Sequence, residues 1–120
     1  MGRWLDIHPG TGNGSYTARF GEHHIGNPVI RALHGGFVGS LIEAAAELEL
    51  AQHVAGNNVE LVSSSIEYLR VTRDRDLHAK VDIVRIARRL AFVDVWCWQD
   101  KEEIPVARGS CILRLSGQAV

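Results

Sequence analysis

The sequence is organised around one stretch, Leu33-His34-Gly35-Gly36-Phe37-Val38-Gly39-Ser40-Leu41-Ile42-Glu43, in which a glycine pair precedes an apolar run that carries a carboxylate about two turns on. This pattern predicts the start of a helix. The first four N–H groups of a helix have no partner within it, and the helix dipole adds positive potential there. Because glycine lacks a side chain, a carbonyl can approach these donors. The stretch therefore predicts a site that stabilises the oxyanion of acyl transfer.

A long amphipathic helix follows from the same stretch and is predicted to end at Gly56-Asn57-Asn58. Glu49 is assigned to its solvated side. The apolar face is predicted from side chains that recur every three or four residues: Phe37, Leu41, Ala44, Ala45, Leu48 and Ala51.

The rest of the chain is rich in β-branched and aromatic residues, divided by charged turns. Strands are predicted at 59–69, 77–87, 90–99 and 104–115, and a fifth at 15–20 before the helix. Consecutive strands without intervening helices favour an antiparallel sheet. The predicted fold class is therefore α+β, with one long helix on one face of an antiparallel sheet.

Length and charge limit the possible partners. The 120 residues form one domain, 1–120, of which 1–14 is expected to be a less ordered N-terminal segment. A net charge of −1 argues against nucleic acid or an anionic membrane as partner. No secretion signal or membrane-spanning run is apparent, so a cytoplasmic protein is expected. Cys97 and Cys111 lack metal-ligand spacing, so no metal site is predicted.

The segment Leu90–Trp98 has apolar side chains on both faces of its strand. One helix covers one face of a sheet, so the other face needs a second cover. We therefore expect a homo-oligomer in which two subunits place their sheets side by side and a second pair packs over them.

Four pieces of sequence, in order and spacing, resemble those of hotdog-fold acyl-CoA thioesterases of the PaaI-like (phenylacetate-pathway) branch, which includes relatives of 4-hydroxybenzoyl-CoA thioesterase. The resemblance covers residues 26–115. It implies a long central helix wrapped by a five- to six-stranded antiparallel sheet, dimers that pair into a homotetramer, and active sites at the dimer interface. The pieces are His34-Gly35-Gly36 with Glu43 nine residues after the histidine, Ile66-Glu67-Tyr68-Leu69-Arg70, Asp76-Leu77-His78-Ala79 and Arg88-Arg89-Leu90-Ala91-Phe92-Val93.

The resemblance implies which residues carry the chemistry. Gly35 matches the glycine whose N–H polarises the thioester carbonyl, and Gly36 lies beside it. Glu43 matches the acid that acts as nucleophile or as general base toward water, facing the glycine turn of the other subunit. Thioester hydrolysis needs both parts, since it places charge on the carbonyl oxygen and requires a carboxylate to attack or to activate water. No cofactor is implied, because coenzyme A belongs to the acyl-CoA substrate.

Two further positions keep a structural alternative. His34 either helps to orient the thioester or bonds backbone groups of its own loop. Asn27 lies one residue away from a carbonyl-contacting position of the relatives, and Asn27-Pro28 alternatively forms a turn.

On the helix, Ser40 and Glu47 lie beside Glu43 in a polar stripe, and the two carboxylates are close enough to raise one another's pKa. A solvated helix face is the alternative for both glutamates. In the following strand, the serine that one branch of the family uses aligns with Leu61. This leaves Ser64 and Ser65 as candidates for holding water, with ordinary strand serines as the alternative.

Arginines gather around two turns, and the resemblance places these turns near the phosphates of coenzyme A. Arg88 and Arg89 are the candidates for that contact because guanidinium groups bind phosphate oxygens in pairs. The alternative is a solvated turn.

The sequence thus predicts an acyl-CoA thioesterase. A non-catalytic module that binds an acyl chain or acyl-CoA is the alternative, and a hotdog dehydratase is poorly supported by His34 alone.

Overall fold

The structure is a computed structural model that describes residues 6–10, 14–21, 25–27, 32–33, 35–54 and 56–117. His34 lies outside the described residues, and so does the side chain of Asn27. The elements in chain order are β1 (Ile7–Pro9), β2 (Ser15–Ala18), β3 (Ile25–Asn27), β4 (Ala32–Leu33), α1 (Gly35–His53), β5 (Asn57–Tyr68), β6 (Leu77–Ile86), β7 (Leu90–Trp98) and β8 (Ala107–Gly117).

Six strands form one antiparallel sheet in the order β1-β2-β6-β7-β8-β5, and β3 pairs with β4 in a separate ribbon. Alternate side chains of β7 and β8 point inward and are buried against α1. The predicted α+β class is therefore confirmed. The sequence did not predict β1, and the strand expected from residue 104 begins at Ala107.

The helix begins at the glycine pair, as predicted, and ends at His53, shortly before Gly56 with its positive φ of 89°. Its predicted face is only partly right: Leu48 is 44% exposed and Ala51 is also exposed. The helix is apolar around most of its circumference, so spacing alone did not fix which side packs on the sheet. The buried apolar side chains are Phe37, Val38, Leu41, Ile42, Ala45, Ala46 and Leu50.

Glu49 was assigned wrongly to the solvated side, because it is 8% exposed in the core. The Tyr16 hydroxyl donates a hydrogen bond to Glu49 Oε1 at 2.9 Å, and Gln52 Nε2 donates to the Tyr16 oxygen at 3.2 Å. Burial, together with the neighbouring carboxylate, raises the pKa of Tyr16 to about 12. A buried carboxylate requires such a donor, and here it comes from a strand far away in sequence.

The helix lies very close to the sheet at Gly109 of β8. A Cβ at this position would lie 2.5 Å from Ile42 Cγ2, a branch with little freedom to move away. A glycine is therefore required here by packing.

Gly109→Ala should lower the free energy of unfolding by about 1–3 kcal/mol, because the added methyl group must push α1 off the sheet. Chemical denaturation measures this. Gly117→Ala is the matched control, since nothing lies within 4 Å of a Cβ there. Equal stability of the two variants would contradict the packing assigned to Gly109.

Candidate active site

Helix α1 and strand β5 run antiparallel and touch at three successive pairs of residues. The Tyr68 hydroxyl donates a hydrogen bond to the Gly35 carbonyl oxygen at 3.0 Å. A Cβ on Gly39 would lie 3.2 Å from Ile66 Cδ1. The Ser64 hydroxyl donates to Glu43 Oε2 at 2.6 Å.

The repeat has a geometric cause. Four helical residues advance about 6.0 Å, and two strand residues advance about 6.6 Å. Every fourth residue of α1 therefore lies beside every second residue of β5. Gly35 and Gly39 form a glycine stripe that runs along the helix toward Glu43, and Gly39 is buried where Ile66 and Tyr68 of β5 pack closely over it.

Glu43 is half-buried, and its bond to Ser64 has the short length typical of a charge-assisted hydrogen bond. The bond fixes the direction of one carboxylate oxygen. Ser64 is therefore the serine of the predicted pair that reaches the candidate nucleophile or base. Ser65, the next residue, is exposed and lies on the opposite face of the strand.

A register shift between Leu61 and Ser63 explains why Ser64 reaches the helix. Leu61 packs against the core, and the bulge returns Ser64 to the same face three residues later. Strict alternation from Leu61 would have turned Ser64 outward.

The other predicted helix residues lie close to Glu43 in sequence. Ser40 and Glu47 are half-buried, and Gly36 is the exposed second residue of α1. Burial raises the pKa of Glu47, and the negative charge of Glu43 raises it further. The effect of one carboxylate on the other was predicted, but burial is the larger cause of the raised pKa of Glu47.

The arginines separate into two groups at opposite ends of the sheet. Arg88 and Arg89 lie in the turn between β6 and β7 and, with Arg114 and Asn57, line a cleft of about 640 Å³. The turn from Arg70 to Arg75 follows the far end of β5. The ten-residue strand β6 alone spans about 33 Å, so one chain cannot bring both groups to one ligand.

Gly35 and Glu43 are also too far apart to act together within one chain. Eight helical residues separate them, which is about 12 Å along the axis. β5 lies at the edge of the six-stranded sheet, and within the described part of the chain nothing pairs with its outer side. A second polypeptide can complete the site there.

Sequence reasoning missed the role of Tyr68 in this arrangement. It appeared only as part of a motif, although Gly35, Gly39 and Glu43 follow one another at i, i+4 and i+8. That spacing marks one helix stripe and was visible in the sequence. The strand partners of the stripe were not.

The described residues contain no grouping of three or more His, Cys, Asp or Glu side chains suited to a metal ion. No helix in these ranges has both the length and the apolar character to cross a membrane.

One long helix packed against a six-stranded antiparallel sheet is the architecture of hotdog-fold proteins. Solved structures agree. A protein of the thioesterase superfamily is 26% identical with a TM-score of 0.82, over 95% of this chain and 86% of that chain. A thioesterase from Haemophilus influenzae is 17% identical with a TM-score of 0.87, over 99% of this chain and 84% of that chain. A Bacillus halodurans protein, solved with CoA, is 19% identical with a TM-score of 0.84, over 96% of this chain and 74% of that chain.

The sequence profile of the acyl-CoA thioesterase N-terminal domain family matches residues 24–114. The chain therefore belongs to this family, and its enzyme class is thioester hydrolase, as the sequence predicted. No curated protein matches the chain.

Ser64→Ala should lower kcat about tenfold, because the Glu43 carboxylate loses the donor that orients it. Steady-state release of thiol from an acyl-CoA measures this. Ser63→Ala is the matched control, since Ser63 is exposed on the other face of β5. An equal loss in both variants would show that the strand, and not the Ser64 hydroxyl, matters.

Proposed function

We propose that this protein hydrolyses an acyl-CoA to the free acid and coenzyme A with Glu43 as nucleophile or general base and the Gly35 N–H as the donor to the thioester carbonyl. The observation that carries the proposal is the Glu43 carboxylate held by Ser64 at the end of a glycine stripe. The exposed pair Gly35-Gly36 lets a carbonyl approach the helix start closely, and the helix start supplies an amide donor.

The reaction has two routes through the same groups. As general base, Glu43 takes a proton from water while the oxygen adds to the carbonyl carbon. As nucleophile, Glu43 forms an anhydride with the acyl group, which water then cleaves. In both routes the Gly35 N–H stabilises the oxyanion, the C–S bond breaks, and the thiolate of coenzyme A leaves and takes up a proton. The proposed chemistry needs no cofactor.

A two-fold dimer brings the two groups together. Suppose that two copies of α1 cross antiparallel and that the two-fold axis passes at Gly39. Gly35 of one copy then faces Glu43 of the other, because both residues are four positions from the axis. By the same argument, antiparallel pairing of two β5 edges at residue 66 sets Tyr68 opposite Ser64. Gly39 and Ile66 are in contact within the chain, so one axis serves both elements.

This dimer joins two sheets through their β5 edges and removes an exposed twelve-residue edge strand. A second pair over the outer face of the sheet would cover Leu90 and Trp96, the latter 36% exposed. We therefore propose a dimer of dimers. Both cysteines are free and buried, which agrees with a reducing cytoplasm.

The cleft lined by Arg88 and Arg89 is the basic region that suits the phosphates of coenzyme A, because guanidinium groups bind phosphate oxygens in pairs. It lies beside Asn57, at the start of the β5 edge through which the two subunits would pair.

Glu43→Gln and Glu43→Ala should lower kcat by roughly a hundredfold or more, because the nucleophile or base is lost. A panel of short, medium, long and aromatic acyl-CoAs with a thiol-detecting reagent measures this, and size-exclusion chromatography checks the oligomer. Glu103→Gln, an exposed turn substitution, is the control. Unchanged hydrolysis by the Glu43 variants removes Glu43 from the mechanism. Acyl-CoA binding without thiol release by the unaltered protein would favour the binding module.

Arg88→Gln combined with Arg89→Gln should raise the KM for acyl-CoA about tenfold, since two charge-assisted phosphate contacts are lost. Hydrolysis of the matching acyl-pantetheine thioester, which lacks the nucleotide, should not change. A parallel loss on both substrates would mean that the two arginines support the fold of the turn instead.

A further inference from the structure

The hydroxyl of Tyr68 lies over the first turn of α1. It donates to the Gly35 carbonyl oxygen at 3.0 Å and would lie 3.5 Å from a Cβ on Gly39. Tyr68 is the last residue of β5 and is 57% exposed, so its hydroxyl can also be solvated. The bond joins the glycine pair at the helix start to the sheet.

We propose that Tyr68 is a positioning residue for thioester hydrolysis, which holds Gly35 so that its N–H stays directed at the substrate carbonyl. The inference rests on the proposed function, in which that N–H stabilises the oxyanion. Tyr68 does not touch the reacting atoms in this account. It acts through the backbone of Gly35.

The helix start needs an additional restraint because two glycines form it. Glycine has the widest backbone freedom of any residue, and the pair lies in the first turn of a helix, where fraying is common. A donor for an oxyanion works only if its direction is fixed before the reaction. The bond from Tyr68 fixes the peptide plane that the Gly35 carbonyl shares with the Gly36 N–H, and it thereby restricts the ψ angle of Gly35, which leaves the φ angle as the freedom of the Gly35 N–H.

Exposure distinguishes this role from simple stabilisation. Within one subunit the exposed Tyr68 hydroxyl can exchange its protein partner for water at little cost, so the bond contributes little to the folding of the subunit. Its loss should therefore appear in turnover and not in stability. Tyr16, the other tyrosine of the chain, is the opposite case, since its buried hydroxyl is bound to Glu49.

The test compares Tyr68→Phe with Tyr16→Phe, each of which removes one hydroxyl and keeps the ring. Tyr68→Phe should lower kcat about tenfold with KM changed less than about twofold and the unfolding midpoint unchanged. Tyr16→Phe should lower the unfolding midpoint and leave kcat unchanged. An unchanged kcat in Tyr68→Phe, or a fall in its unfolding midpoint that accounts for the lost activity, would overturn the proposal.

Two inert substrate analogues test whether the effect passes through the carbonyl. A difluoroketone analogue, in which a CF2 group replaces the thioester sulfur and whose hydrate mimics the tetrahedral oxyanion, should inhibit Tyr68→Phe more weakly than the unaltered enzyme. A thioether analogue without the carbonyl should inhibit both equally. Equal weakening of both would assign Tyr68 to general substrate binding and overturn the proposal. If the unaltered protein released no thiol from any acyl-CoA, the proposed function itself would fail, which is a different result.

Discussion

The antiparallel contact between α1 and β5 is the constraint on which the proposed site depends. Steps of four along the helix and steps of two along the strand are nearly equal in length, so Gly35, Gly39 and Glu43 meet Tyr68, Ile66 and Ser64 in turn. The Tyr68 bond holds the helix start, and the Gly39–Ile66 contact sets how closely the helix approaches the strand. The Ser64 bond orients the Glu43 carboxylate.

The same contact leaves the single chain incomplete. Glycine at positions 35 and 39 lets β5 pack closely on the helix, and the outer edge of β5 offers unpaired backbone groups over twelve residues. A lone subunit would therefore expose a strand edge. The association that we propose covers this edge and would place the amide donor of one subunit near the acid of the other. In this account, catalysis and assembly have the same physical origin.

The sequence predicted the parts of the structure that depend on local pattern. The helix start, the four long strands and the family followed from glycine placement, apolar spacing and motif order. Contacts between distant segments were not accessible. The burial of Glu49 depends on Tyr16, 33 residues away. Ser64 and not Ser65 faces the helix because of a β-bulge, and no residue type in the strand indicates where that bulge falls. The helix face was partly misassigned because apolar residues surround most of α1.

The most direct measurement mixes two inactive variants. Gly35→Pro removes one N–H at a helix position that accepts proline, and Glu43→Gln removes the acid. A Cβ at Gly35 makes only ordinary contacts, the nearest at 3.8 Å, so the β-carbon of proline meets no clash there. In a mixed dimer one of the two sites is intact if Gly35 and Glu43 act across subunits. Co-refolding equal amounts should then restore roughly a quarter of the unaltered activity, since half of the dimers are mixed and each has one working site. No recovery, with mixed dimers demonstrated, would contradict a site shared between two subunits.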